Sequence, residues 1–175
     1  MLDAGCDVAI IEATSQGFKL KRTHGIHFNK GIFTNLSPDH IGDREHKDFD
    51  EYLECKKMIF NQCDTVIVNS DSDHIERIVE GANSDIIYIG SSEKSTFKYN
   101  NGKFSVGKNK LITEFTCEEN GVFNEIELNT PGHFSLSNAT LAIACARFDG
   151  INYESIKSGL SSAFVKGRME IVPLN

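Results

Sequence analysis

The chain has 175 residues, 39% hydrophobic and 25% charged, which is enough for one full core or one domain with a small appendage. Its net charge of -7 argues against general nucleic-acid binding, which needs clustered Lys and Arg, and no apolar run is long enough to span a bilayer. There is no secretory start, and the five cysteines form no C-x-x-C pair, so they read as thiols of a cytoplasmic protein.

In chain order, Met1–Gly5 resembles the tail of a helix, and Asp7–Ala13 is an apolar run of the length and texture of a buried parallel strand. It ends on Glu12, beside the hydroxyls of Thr14 and Ser15. A carboxylate at the carboxyl end of a strand is either a magnesium ligand in phosphate chemistry or a cap for the next element. A polar connection over Phe18–His27 contains Arg22, and Lys30–Asn35 forms a second strand. Ser37-Pro38 then forces an extended turn that presents Asp39 and His40, the latter either a surface residue or a ligand. His46, with Asp43, Glu45 and Asp48, reads as the solvated start of a helix.

That helix carries the oddest residue in the chain. At about 100° per residue, Phe49, Tyr52, Leu53, Ile59 and Phe60 share one face, and Lys56 falls near its middle. A charge there must be paired, neutralised or modified, or else its stem snorkels and leaves the ammonium in water.

Asp64–Asn69 and Ile86–Ile89 are further strands, separated by a short helix over Asp73–Glu80. The alternation predicts an α/β fold, a mostly parallel Rossmann-like sheet with helices on both faces. From Ser95 the texture becomes that of a small antiparallel sheet, with one hairpin turning at Asn101-Gly102 and another at Glu118–Gly121. An Ala-rich helix over Phe134–Phe148 and an amphipathic one over Tyr153–Phe164 follow. The organisation is thus an α/β core (1–94), an antiparallel subdomain (95–130) and a helical return (131–175). Gly102 to Asn109 nearly spells a phosphate loop, but Asn109 replaces the metal-binding hydroxyl and the context is a hairpin, so the match is rejected.

Four segments, Glu12-Ala-Thr-Ser-Gln16, Phe33-Thr-Asn-Leu-Ser-Pro-Asp-His40, Tyr52-Leu-Glu-Cys-Lys56 and Gly167-Arg-Met-Glu170, together resemble the central, ATP-binding domain of the Mur ligases. Within that family the likeness is to ligases that extend UDP-N-acetylmuramoyl-L-alanyl-D-glutamate with a third amino acid in peptidoglycan synthesis. The resemblance implies a bacterial, ATP-dependent carboxylate–amine ligase working through an acyl phosphate. It implies that Glu12, His40 and a carbamylated Lys56 bind magnesium, the carbamate being formed from carbon dioxide. It further implies that Thr14, with Ser15 beside it, and Arg22 contact the UDP-muramoyl substrate, and that Asn138 and Arg168 contact ATP.

Departures from the family pattern are Gln16 for a frequent histidine, Ser135 for a frequent asparagine, and an Ile41–Phe49 loop longer and more acidic than the usual H-x-D-x-H-G. The family's phosphate loop is not among these 175 residues, so the chain reads as a fragment, inactive alone, with an apolar sheet edge near Val8–Glu12 open to self-association. Other ligases of the superfamily, cyanophycin-synthetase-like or amidoligase-associated, and a non-catalytic remnant that binds a nucleotide sugar stand as alternatives.

Overall fold

The computed structural model describes residues 2–37, 41–42, 45–106 and 111–163. One six-stranded sheet, in the order β1-β2-β3-β4-β5-β6, organises them: Phe28–Phe33, Cys63–Asn69, Asp85–Ile89, Phe97–Val106, Leu111–Glu119 and Val122–Leu128. The first three junctions are parallel and the last two antiparallel, so the antiparallel segment continues the parallel sheet through the Ile89–Phe97 bridge.

β2 is the middle one of the three parallel strands β1, β2 and β3. Its Val66 and Val68 face one layer and Ile67 the other, and all three are fully buried. A parallel strand closed on both faces needs helices on both sides. On the Val66 side lie α2 (Phe49–Lys57) and α3 (Ile75–Val79), with Tyr52, Leu53 and Ile78 packed against Phe33 and Phe60. On the Ile67 side lie α4 (His133–Phe148) and α5 (Tyr153–Ser162), which bring Leu136, Leu141, Ile143 and Ile156 onto Phe97, Phe115 and Ile126. A five-residue helix, α1 (Ser15–Lys19), packs against α2.

Local chemistry sets the ends of these elements. Asp48 caps α2 by accepting from the Glu51 amide at 2.8 Å, and Asn152 caps α5 by accepting from the Ser155 amide at 2.9 Å. The β5–β6 hairpin turns at Asn120-Gly121, both at positive φ (51° and 81°), as a two-residue turn requires. At the carboxyl ends of β2 and β3, Asp71 accepts from the Ser91 amide at 3.0 Å, the Ser91 hydroxyl at 2.6 Å and the Tyr99 hydroxyl at 3.1 Å. That knot holds the crossover from β3 to β4.

Two expectations from the sequence change. Asp7–Ala13 forms no strand: the segment is without regular structure, and Val8 and Ile10 are 75% and 94% exposed. Apolar texture makes a strand only where a neighbour supplies hydrogen bonds, and among the described residues none pairs with this run; β1 is the sheet edge instead. Nor does Asn101-Gly102 turn a hairpin. β4 runs through it with a register shift between Asn100 and Lys103, and a Cβ on Gly102 would come within 2.6 Å of Leu136 Cδ2. This glycine serves the close approach of α4 to a bulged strand.

Urea unfolding tests this division. Leu53→Ala should cost about 2–5 kcal/mol, whereas Ile10→Ala should stay within about 0.5 kcal/mol of the parent. Comparable losses from both would place residues 7–13 in a core.

Burial also pushes the Cys63 and Cys117 thiols up to about 11 from an ordinary 9.0. Both folded-state values lie above the unfolded one, so the stability they contribute is whole below pH 9 and falls as pH rises toward 11. At pH 8 iodoacetamide should alkylate exposed Cys6 and spare Cys63 and Cys117 until the chain is unfolded, as peptide mapping would show.

Candidate functional site

β1, β2 and β3 run parallel, so their carboxyl ends share one rim, where ligands of open α/β sheets bind. β1 ends at Phe33, and Thr34 and Asn35 lead off the rim. The side chain of Lys56, in the last turn of α2, reaches this point. Its Nζ donates to the Asn35 carbonyl at 2.7 Å and lies 5.6 Å from the Phe33 ring centroid and 5.1 Å from that of Tyr52. Lys56 is half-buried. The apolar stripe inferred from the sequence is therefore real, and the amine sits against two aromatic faces with a carbonyl beside it, between the extremes of full burial and a freely solvated head group.

The segment before α1 approaches the same helix from the other side. Thr14 is the cap of α1, its Oγ1 accepting from the Gly17 amide at 3.0 Å. Ser15, the first residue of the helix, is buried, and its hydroxyl lies 2.9 Å from His46 Nε2. Nδ1 of the same imidazole faces Glu51 Oε2 at 3.6 Å, on the first turn of α2. Glu51 also accepts from the Lys47 amide at 2.8 Å and from Lys19 Nζ at 3.0 Å, and these two donors hold its carboxyl below the ordinary value.

His46 has no exposed surface. This corrects the expectation of a solvated helix start: the imidazole packs over the Tyr52 ring at 5.4 Å and is enclosed between α1 and α2. The residues around it in sequence are charged, and nothing in their pattern marks one of them as buried. The only hint was its place beside the H-x-D-x-H-G spacing.

The other residues singled out from the sequence are distributed as follows. Glu12 and Arg22 are exposed, at either end of the stretch that contains α1, and Glu12 is on a loop rather than at a strand end. Asn138 is exposed on α4, which packs on the opposite face of the sheet from α2. His40 and Arg168 lie outside the described residues, as do Pro38, Asp39 and the Gly167–Glu170 segment. The structure thus brings Thr14 and Ser15 up to the helix of Lys56. Among the described residues no three His, Cys, Asp or Glu side chains gather into a metal set, and no helix is long and apolar enough to cross a membrane.

Comparison with known proteins gives a consistent result. The family described as the Mur ligase middle domain matches residues 1–146. A UDP-N-acetylmuramoyl-L-alanyl-D-glutamate–2,6-diaminopimelate ligase of Clostridium acetobutylicum is 35% identical over 97% of this chain and 34% of its own length. The corresponding L-lysine ligase of Streptococcus thermophilus is 34% identical over 93% of this chain and 32% of its own. A solved structure of a UDP-N-acetylmuramoyl-L-alanyl-D-glutamate–2,6-diaminopimelate ligase superposes with a TM-score of 0.82 at 20% identity, over 99% of this chain and 36% of that one. The chain spans about a third of the length of these relatives. On the match over residues 1–146 and the identity to curated relatives along nearly its whole length, the chain belongs to the Mur ligase family and corresponds to its middle domain.

Proposed function

We propose that this chain is the middle part of an ATP-dependent ligase that joins a third amino acid to UDP-N-acetylmuramoyl-L-alanyl-D-glutamate in the bacterial cytoplasm. The observation that carries the reading is the seating of Lys56 at the carboxyl end of β1, on a helix tied directly to the Thr14-Ser15 segment. Relatives that add diaminopimelate and relatives that add lysine match it almost equally, so the reading stops at the shared muramoyl-dipeptide substrate. Residues 1–94 would form the α/β core, 95–130 an antiparallel extension and 131–175 the helical return.

In the proposed reaction the γ-phosphoryl group of ATP passes to the free carboxylate of the D-glutamyl residue, giving an acyl phosphate and ADP. The amine of the incoming amino acid then attacks the acyl carbon, forming the amide bond and expelling phosphate. Thr14 and Arg22, with Ser15 behind them, would hold the muramoyl peptide; Asn138 would meet the nucleotide base and Arg168 the phosphates.

The donor chemistry fits a magnesium ion. Hard cations take oxygen ligands; Glu12 offers an exposed carboxylate, and Lys56 would offer anionic oxygens once carbamylated. A neutral Lys56 amine attacking carbon dioxide becomes a carbamate and releases one proton to solvent; the remaining N–H can keep its bond to the Asn35 carbonyl. Glu12, His40 and the Lys56 carbamate would hold the metal, whose charge, when bound, offsets that of the transferring phosphoryl group.

In the full ligase, Lys56→Ala should lower turnover at least about a hundredfold with substrate KM changed much less; near-normal turnover in that variant would sink the assignment. Native mass spectrometry in bicarbonate should show a gain of about 44 Da on Lys56, the mass of one carbon dioxide, as the oxygen-ligand argument requires. Its absence with magnesium present would remove the carbamate from the scheme.

For the 175-residue chain by itself we further propose self-association through Val8, Ile10 and the open edge of β1. Sedimentation velocity should show a concentration-dependent dimer that Ile10→Lys abolishes, and a monomer at all concentrations would refute it.

A further inference from the structure

The Mur family reading leaves His46 without a task, yet no polar side chain in the described structure is more completely enclosed. An imidazole buried to this degree needs partners at both ring nitrogens. Here Nε2 lies within hydrogen-bond distance of Ser15 Oγ at 2.9 Å, whereas Nδ1 faces the Glu51 carboxylate at 3.6 Å, an electrostatic contact longer than a hydrogen bond. Glu51 in turn accepts from Lys19 Nζ, which also donates to the Glu45 carbonyl at 2.8 Å. The circuit leaves α1 at its first residue, Ser15, crosses His46 to α2, and returns to α1 at its last residue, Lys19.

That geometry answers a physical need. A five-residue helix has almost no stability of its own, because nucleation consumes most of what a few hydrogen bonds supply. α1 must be held from outside, and its two ends are held by the two ends of the circuit, with Phe18 buried between them.

The order hydroxyl, imidazole, carboxylate is also that of a nucleophilic triad. Ser15 is only 4% exposed and opens a helix that is packed onto α2, so a reacting carbonyl has no path to its oxygen. Glu51 is moreover already engaged by Lys19 and the Lys47 amide. The circuit is a clamp.

We propose that His46 is a positioning residue that sets α1, and with it Thr14 and the approach to Arg22, against the helix that carries Lys56. The inference rests on the functional reading above only in taking Thr14 and Arg22 to face substrate; the clamp itself rests on the geometry.

Hydrogen exchange and kinetics test it together. In the 175-residue chain, His46→Leu and Ser15→Ala should each speed exchange of the Phe18 and Leu20 amides, which bond to Thr14 and Gln16 carbonyls, by about tenfold or more. The Val66 and Val68 amides of β2 should be unchanged, and His46→Gln, which retains a donor and an acceptor, should restore most of the protection. Ser15→Ala cuts the same bond without enclosing a new apolar group, so it decides the matter if His46→Leu does not fold. In the full ligase, His46→Leu should raise KM for the muramoyl dipeptide by about tenfold and leave KM for ATP as it was. Unchanged exchange at Phe18 and Leu20 overturns the clamp, and an equal rise in both KM values overturns its link to substrate. A wild-type ligase inactive on the muramoyl dipeptide would refute the functional reading, while the exchange data would still decide the clamp.

Discussion

The burial of β2 on both faces is the constraint from which the rest of the arrangement follows. Val66, Ile67 and Val68 are each shut off from water, so every side chain in the middle of that strand has a layer above or below it. Such a strand pairs in parallel with neighbours whose connections run over the faces, and parallel pairing delivers the ends of β1, β2 and β3 to one rim. The helix that covers the Val66 face has little choice of position: Tyr52 and Leu53 must meet Phe33 and Phe60, and that contact swings Lys56 onto the end of β1. The packing of the core thus places the side chain to which the proposed chemistry belongs.

Magnitudes bear on what that lysine can do. Cation–π contacts with Phe33 and Tyr52 each favour the ammonium by roughly 0.5–1 kcal/mol at a half-exposed position, and a charged hydrogen bond to the Asn35 carbonyl adds about 1.5–3 kcal/mol. In the proposed carbamylation, a cation bound to the carbamate would have to outweigh these contacts. The clamp through His46 works on a different coordinate. It fixes how the short helix after Glu12 lies against α2.

The parallel layout, the helix bearing Lys56, the strand from Asp64 to Asn69 and both C-terminal helices could be read from apolar periodicity, because in each the pattern and the packing agree. Two segments carry features whose meaning depends on neighbours far along the chain. Asp7–Ala13 has the composition of a strand but lacks a hydrogen-bonding partner among the described residues. Gly102 looks like a turn residue but lies in a strand packed closely under Leu136, thirty-four positions away. The enclosure of His46 was hidden for the same reason: its partners Ser15 and Tyr52 lie on separate helices, and a histidine among Glu45, Lys47 and Asp48 looks like surface. The family itself was legible from four short motifs in order, and the comparisons bear it out.

The proposed function depends most on the Lys56 amine at the end of β1 being a reactive group held in place. A crystal structure of the chain grown with magnesium and bicarbonate tests it most directly. Planar density should continue beyond Lys56 Nζ with a cation on its oxygens, while the nitrogen stays beside the Asn35 carbonyl. A bare ammonium in the same aromatic seat, with magnesium bound elsewhere or not at all, would contradict it.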